Sequence, residues 1–203
     1  MPKYYLELQE LLLWVEFFSA LVAVLYYKSL RHSYWKWFAI YLVIVFVQEL
    51  FWSQFSDYFS RDFKQDYYGI FAIPMQYIFF YWLFALRSLK NKYLFIICLL
   101  LYCSTIPLRL FFKDTNAIES ISMAVGIALL ALLTLMELIK QIKDDNILKF
   151  KENKMFYINI GVILFYIGTY PFYAFYKLLF YEHIEIWNIY FLYNRISVCF
   201  CLL

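Results

Sequence analysis

Seven stretches of the chain are each long and apolar enough to cross a lipid bilayer, and the cations between them fall mostly on alternate connections. A hydrocarbon core about 30 Å thick takes about 20 helical residues at about 1.5 Å of rise each. The runs are Leu6–Tyr27, Tyr34–Trp52, Tyr67–Leu86, Tyr93–Phe112, Ile118–Ile139, Met155–Tyr181 and Ile184–Leu203. Six spans is the alternative count, because the first and last runs each contain a charge. Backbone groups in lipid must bond one another within the protein. A barrel would show short alternating segments, whereas these runs are continuous, so each reads as a helix. The expected fold is all-α, a polytopic transmembrane helix bundle forming one domain over residues 1–203.

Composition agrees with that reading. Of the 203 residues, 65% are hydrophobic and only 16% charged; soluble domains carry about 25% charged residues. Too few polar side chains exist to cover the apolar ones with a water-facing surface. The first ten residues hold two glutamates and one lysine. Cleavable signals begin with a basic segment and end at a small-residue site, so the first helix is expected to stay as an anchor.

Charge sets the expected orientation. Lys28 and Arg31 lie between the first two runs, with Lys36 at the very start of the second and counted with that connection, and Arg87, Lys90 and Lys92 lie between the third and fourth. Lys140, Lys143, Lys149, Lys151 and Lys154 lie between the fifth and sixth, so three connections hold eleven of the eighteen cations. Cytoplasmic loops are the ones enriched in Lys and Arg. The N-terminus is therefore expected outside and the C-terminus inside, with the chain in a bacterial inner (plasma) membrane. The five lysines from Lys140 to Lys154 are candidates for binding a cytoplasmic protein. A second copy of the chain and the lipid itself are the other expected partners. Glu152 interrupts the best basic stretch, so direct nucleic-acid binding is not expected.

Polar residues in hydrocarbon are costly and usually face the interior of a bundle. Glu16 lies about ten residues into the first run and Arg195 about eleven into the last, and both runs cross in the same direction. An ion pair across the seam of the first and last helices follows, with Asn194 beside it. Gln48 and Glu49 on the second run, Gln76 on the third and Arg109 on the fourth either line an outward-facing polar pocket or, for Glu49 and Arg109, reach the interface by snorkelling. Gly161, Gly168 and Thr169 on the sixth run, with Ala124 and Gly126 on the fifth, allow helices to approach closely. Pro74, Pro107 and Pro171 are expected to kink their helices. Ser53–Asp66 reads as a polar loop, and Gln141–Lys154 as a polar extension of the fifth helix.

No catalytic pattern accompanies these groups. The chain has no HExxH, P-loop, GxSxG or GxGxxG motif. It also lacks the Arg-x4-6-His pattern of HEPN ribonucleases and any lysine in its last run. His32 and His183 fall on opposite sides of the expected membrane, and the four cysteines form no CxxC pair. No enzyme activity, metal or cofactor is expected.

The stretch Met155-Phe-Tyr-Ile-Asn-Ile-Gly-Val-Ile-Leu-Phe-Tyr-Ile-Gly-Thr-Tyr-Pro171 resembles a pattern of small, uncharacterised multi-pass inner-membrane proteins of bacteria. Glu16, the Tyr26-Tyr27-Lys28 helix exit and the Gln48-Glu49 pair are similar to features of the same group. The resemblance implies a multi-pass fold and carries over no catalytic residue. In size and multi-pass character the chain is also similar to the membrane accessory protein of type VI-B, RNA-targeting CRISPR systems, which implies a defence-system role. The expected function is that of a non-enzymatic regulatory, signalling or accessory component acting through basic cytoplasmic loops. The alternative is a small channel, pore or transporter with Glu16, Glu49, Gln76 and Arg195 along its path.

Overall fold

The computed structural model describes residues 3–55, 58–107, 115–143, 153–168 and 182–202. These form seven helices and no strand. We label them α1 (Lys3–Leu30), α2 (Trp35–Phe55), α3 (Arg61–Tyr67, Tyr68–Ala72, Ile73–Tyr81 and Trp82–Ser88 in one rod), α4 (Lys92–Cys103), α5 (Thr115–Lys143), α6 (Lys154–Val162 and Ile163–Ile167) and α7 (Ile184–Leu202). Four apolar helical stretches, Glu10–Leu30, Trp35–Phe55, Asp62–Ser88 and Ile121–Lys143, are long enough to cross a membrane. The apolar stretches Lys92–Pro107 and Lys154–Tyr166 are shorter. The sixth expected run is described only to Gly168.

The helices close into a ring. α1 packs on α2 and on α7, α7 on α6, α6 on α5, and α5 on both α4 and α3. α2 joins α3 through aromatic stacking, with Tyr41 and Phe79 nearly parallel at 4.2 Å between ring centroids. The interior is aromatic: Tyr77, Tyr81, Phe80 and Phe84 of α3 meet Tyr102 of α4 and Tyr166 of α6. Tyr81 donates its hydroxyl proton to the Gly126 carbonyl at 2.9 Å, so the buried phenol has a partner and α3 is pinned to α5. Gly126 is needed there, since a Cβ would stand 2.7 Å from Tyr77 Cε2. At Gly168 a Cβ would overlap the Tyr193 hydroxyl.

The outer faces are also apolar. α1 exposes Trp14, Phe18, Val22, Leu25 and Tyr26, and α4 exposes Ile97, Leu100 and Leu101. An apolar surface of this extent marks contact with lipid or protein rather than water.

The structure corrects one boundary. Ser53–Asp66 is mostly helical: α2 continues to Phe55, and α3 begins at Arg61 behind Ser60, whose Oγ accepts from Phe63 N at 3.2 Å. The reason is aromatic packing at the junction. Trp52, only 2% exposed, is surrounded by Phe51, Phe59, Phe63 and Tyr67, and Lys64 lies over its ring. Pro74 sits within the first two positions of its α-helical segment, directly after the π-helical turn Tyr68–Ala72, where its missing N–H is tolerated. Pro171 lies outside the described residues.

Candidate functional site

Three helix junctions meet at one end of the bundle: α1 to α2, α3 to α4, and the end of α5 with the start of α6. Their contacts are explicit. Lys140 of α5 donates to the Ser88 carbonyl of α3 at 2.8 Å. Lys154 of α6 lies over the Trp35 ring of α2 at 5.8 Å. The Tyr34 hydroxyl is held above the usual phenol range by burial, with Glu137 adding to the shift and Arg87 opposing it.

Glu137 is the centre of this end. It is 1% exposed. Its Oε2 accepts from Ser88 Oγ at 2.6 Å and its Oε1 from Gln141 Nε2 at 2.9 Å. The short Ser88 bond is that of a hydroxyl donating to a carboxylate. Ser88 Oγ in turn accepts from Lys140 Nζ at 3.1 Å, and Lys140 Nζ stands 3.9 Å from Glu137 Oε2. Lys140 therefore bridges two helices: it caps the last carbonyl of α3 and balances the buried carboxylate. One turn before Glu137, the Thr134 carbonyl accepts from the Asn159 amide of α6 at 3.3 Å. Among the described residues, Gln141 Oε1 and Asn159 Oδ1 are buried acceptors with no donor.

The chain around Ser88 explains how the hydroxyl is aimed. Trp82–Ser88 is π-helical, and Lys90 adopts a left-handed conformation at φ 54 that ends the rod. Asn91 Oδ1 then caps α4 by accepting from Leu94 N. The other two π-helical stretches have the same effect. Tyr68 of α3 donates to Glu49 Oε1 of α2 at 2.7 Å, and Tyr166 of α6 donates to Gln76 Oε1 of α3 at 3.0 Å. Each inserted residue in a π turn rotates the following side chains away from their α-helical directions. Each of the three π turns among the described residues carries a hydroxyl bonded to a polar group on another helix.

The expected polar pocket of Glu49, Gln76 and Arg109 divides. Glu49 and Gln48 are bound by Tyr68 and Tyr67, while Gln76 is bound by Tyr166, about 12 Å farther along α3 at about 1.5 Å per residue. Arg109 lies outside the described residues. At the seam, α1 packs on α7, and Glu16 and Asn194 are 8% and 7% exposed; the side chain of Arg195 lies outside the description. Of the five candidate lysines, Lys140 turns inward, Lys143 and Lys154 are exposed, and Lys149 and Lys151 lie outside the described residues.

Sequence reasoning missed Ser88, Glu137, Gln141 and Asn159. The available signal was Glu137 itself, the one acid in the apolar run from Ile121 to Ile139. Asn159 is likewise the one carboxamide in the sixth run. Among the described residues, no three His, Cys, Asp or Glu side chains gather in a metal-binding arrangement. No protein-family model, no curated protein and no solved structure matches the chain.

Proposed function

We propose that the chain is a seven-span, non-enzymatic membrane protein, N-terminus outside and C-terminus inside, that docks an acidic cytoplasmic partner on its basic end. Regulation, signalling or accessory work in a defence system are the roles such a surface serves. One observation carries the reading: nine cations (Lys28, Arg31, Lys36, Arg87, Lys90, Lys92, Lys140, Lys143 and Lys154) gather around the three junctions, while Glu137 is buried inward. Most of these cations remain exposed, so they attract an acidic surface at long range and suppress basic partners. Photo-crosslinking from position 92 in cells is expected to trap one acidic soluble protein. Reversing Lys90, Lys92 and Lys143 to Glu should remove that product while the membrane level of the protein stays constant. Crosslinks to lipid alone contradict the proposal.

The seam supports a structural pair within this reading. Glu16 and Arg195 are proposed to bond across α1 and α7, because an unpaired charge at mid-bilayer costs at least about 2.5–3.5 kcal/mol. Glu16→Gln is expected to lower stability by about 2 kcal/mol, and adding Arg195→Gln to restore part of the loss in a detergent unfolding titration. Additive losses reject the pair.

A channel or transporter is the second reading, favoured by Gln141 Oε1 and Asn159 Oδ1, buried acceptors that meet no donor among the described residues. Purified protein in liposomes should then pass a monovalent cation, with flux lost in Glu137→Gln or Glu16→Gln. Liposomes that stay tight remove this alternative.

A further inference from the structure

A groove of about 710 Å³ opens between α1, α2 and α6. Val22 and Tyr26 of α1, Leu42 of α2, and Tyr157 and Leu164 of α6 form its walls. Among the described residues, Lys154 is the one charged side chain lining it. Lys154 stands at the end where α1 finishes and α2 begins, so the cation is at the basic end and the apolar walls run toward mid-bundle. The groove extends from Leu30 back to Phe18 on α1, about 18 Å, and from Lys154 to Leu164 on α6, about 15 Å. That is about half of a 30 Å hydrocarbon core. Its walls open outward, with Val22 51% and Tyr26 62% exposed. The Lys154 ammonium rests over the Trp35 ring and forms no ion pair among the described residues.

We propose that this groove holds an acyl chain of one anionic phospholipid from the leaflet at the basic end, with the phosphate paired to Lys154. The match is of length, polarity and charge. A one-leaflet apolar slot ends at Lys154, a cation with no ion-pair partner among the described residues, at the depth where a phospholipid carries its phosphate. Basic pockets between helices on the cytoplasmic side recognise anionic headgroups in this way. Lys28 and Arg31, at the end of α1, raise the positive potential at the same mouth. The inference rests on the reading that the bundle spans a bilayer.

The test uses the full chain in nanodiscs of equal phosphatidylglycerol and phosphatidylcholine, with retained lipid read by native mass spectrometry. One retained lipid is expected, with phosphatidylglycerol favoured about fivefold, the ratio that one surface lysine supplies. Lys154→Gln should abolish the preference. Val22→Trp, at an exposed wall position, should displace both lipids. Equal retention of the two lipids by the wild type, a preference that survives Lys154→Gln, or retention unaffected by Val22→Trp overturns the proposal. If the chain fails to enter nanodiscs and stays monodisperse without lipid, the bilayer reading itself fails. Entry without selective retention defeats only the lipid site.

Discussion

Glu137→Leu is expected to destabilise the bundle by about 3 kcal/mol. A hydrogen bond to a charged group is worth about 1.5–3 kcal/mol in soluble proteins. Polar contacts between helices in membranes average nearer about 0.6 kcal/mol. Glu137 accepts two such bonds, from Ser88 at 2.6 Å and Gln141 at 2.9 Å. Leucine would remove both and leave the Ser88 hydroxyl and the Gln141 amide buried without acceptors. The ion pair adds little to this estimate, because the Lys140 side chain is 38% exposed and screened by solvent. Glu137→Gln keeps one acceptor oxygen, for Ser88, and a flip of the Gln141 carboxamide lets its Oε1 accept from the new amide, so a loss of only about 1 kcal/mol is expected. The triple variant Ser88→Ala, Glu137→Leu, Gln141→Leu removes donors and acceptor together and should recover most of the loss, since the penalty lies in orphaned groups. Unfolding titrations in mixed micelles, followed by tryptophan fluorescence, separate these three outcomes. Equal stabilities would mean that the polar cluster does not hold α3 to α5.

Gly126→Leu should be at least as damaging, at about 3 kcal/mol or more. Even a Cβ at this position meets the Tyr77 ring at 2.7 Å, and Tyr77 is only 2% exposed, packed among Tyr81, Tyr102 and Tyr166. The added side chain must push α5 from α3, which also lengthens the bond from Tyr81 to the Gly126 carbonyl. Overpacking a filled core typically costs about 1–3 kcal/mol, so Gly126→Ala is expected in that range. Combining Gly126→Ala with Tyr77→Leu should cost less than the two separate losses by at least about 1 kcal/mol, because the smaller side chain relieves the clash. The same micelle titration measures the coupling. Additivity would place the strain elsewhere.

The apolar runs were legible because a rod of about twenty greasy residues has few alternatives. α1, α2, α3 and α5 follow the expected segments closely, and Gly126 proved to be a point of close approach. The helix ends were less legible. Asp57, Arg61, Asp62 and Lys64 made 53–66 read as a loop, yet Phe51, Phe59 and Phe63 packed on Trp52 keep much of it helical. Charge reports solvent, whereas the aromatic spacing around Trp52 reports the fold. Glu137 stood out in the sequence only as the one acid between Ile121 and Ile139. Its burial depends on Ser88, 49 residues away, and a single sequence carries no sign of that pairing. The π turns were also invisible, since each inserts one residue into a helix without changing its apolar character. They decide where Tyr68, Ser88 and Tyr166 point, so the polar contacts were the least legible part of the site.

Single cysteines in a cysteine-free background, challenged in intact bacterial cells with a membrane-impermeant maleimide, test the central claim most directly. Tyr58→Cys, at a position 82% exposed between α2 and α3, is expected to label from outside. Lys143→Cys, at the basic end of α5, should label only after the inner membrane is opened. Labelling of position 143 in intact cells with protection of position 58 would contradict the orientation, and release of the protein from cells without detergent would contradict the membrane account altogether.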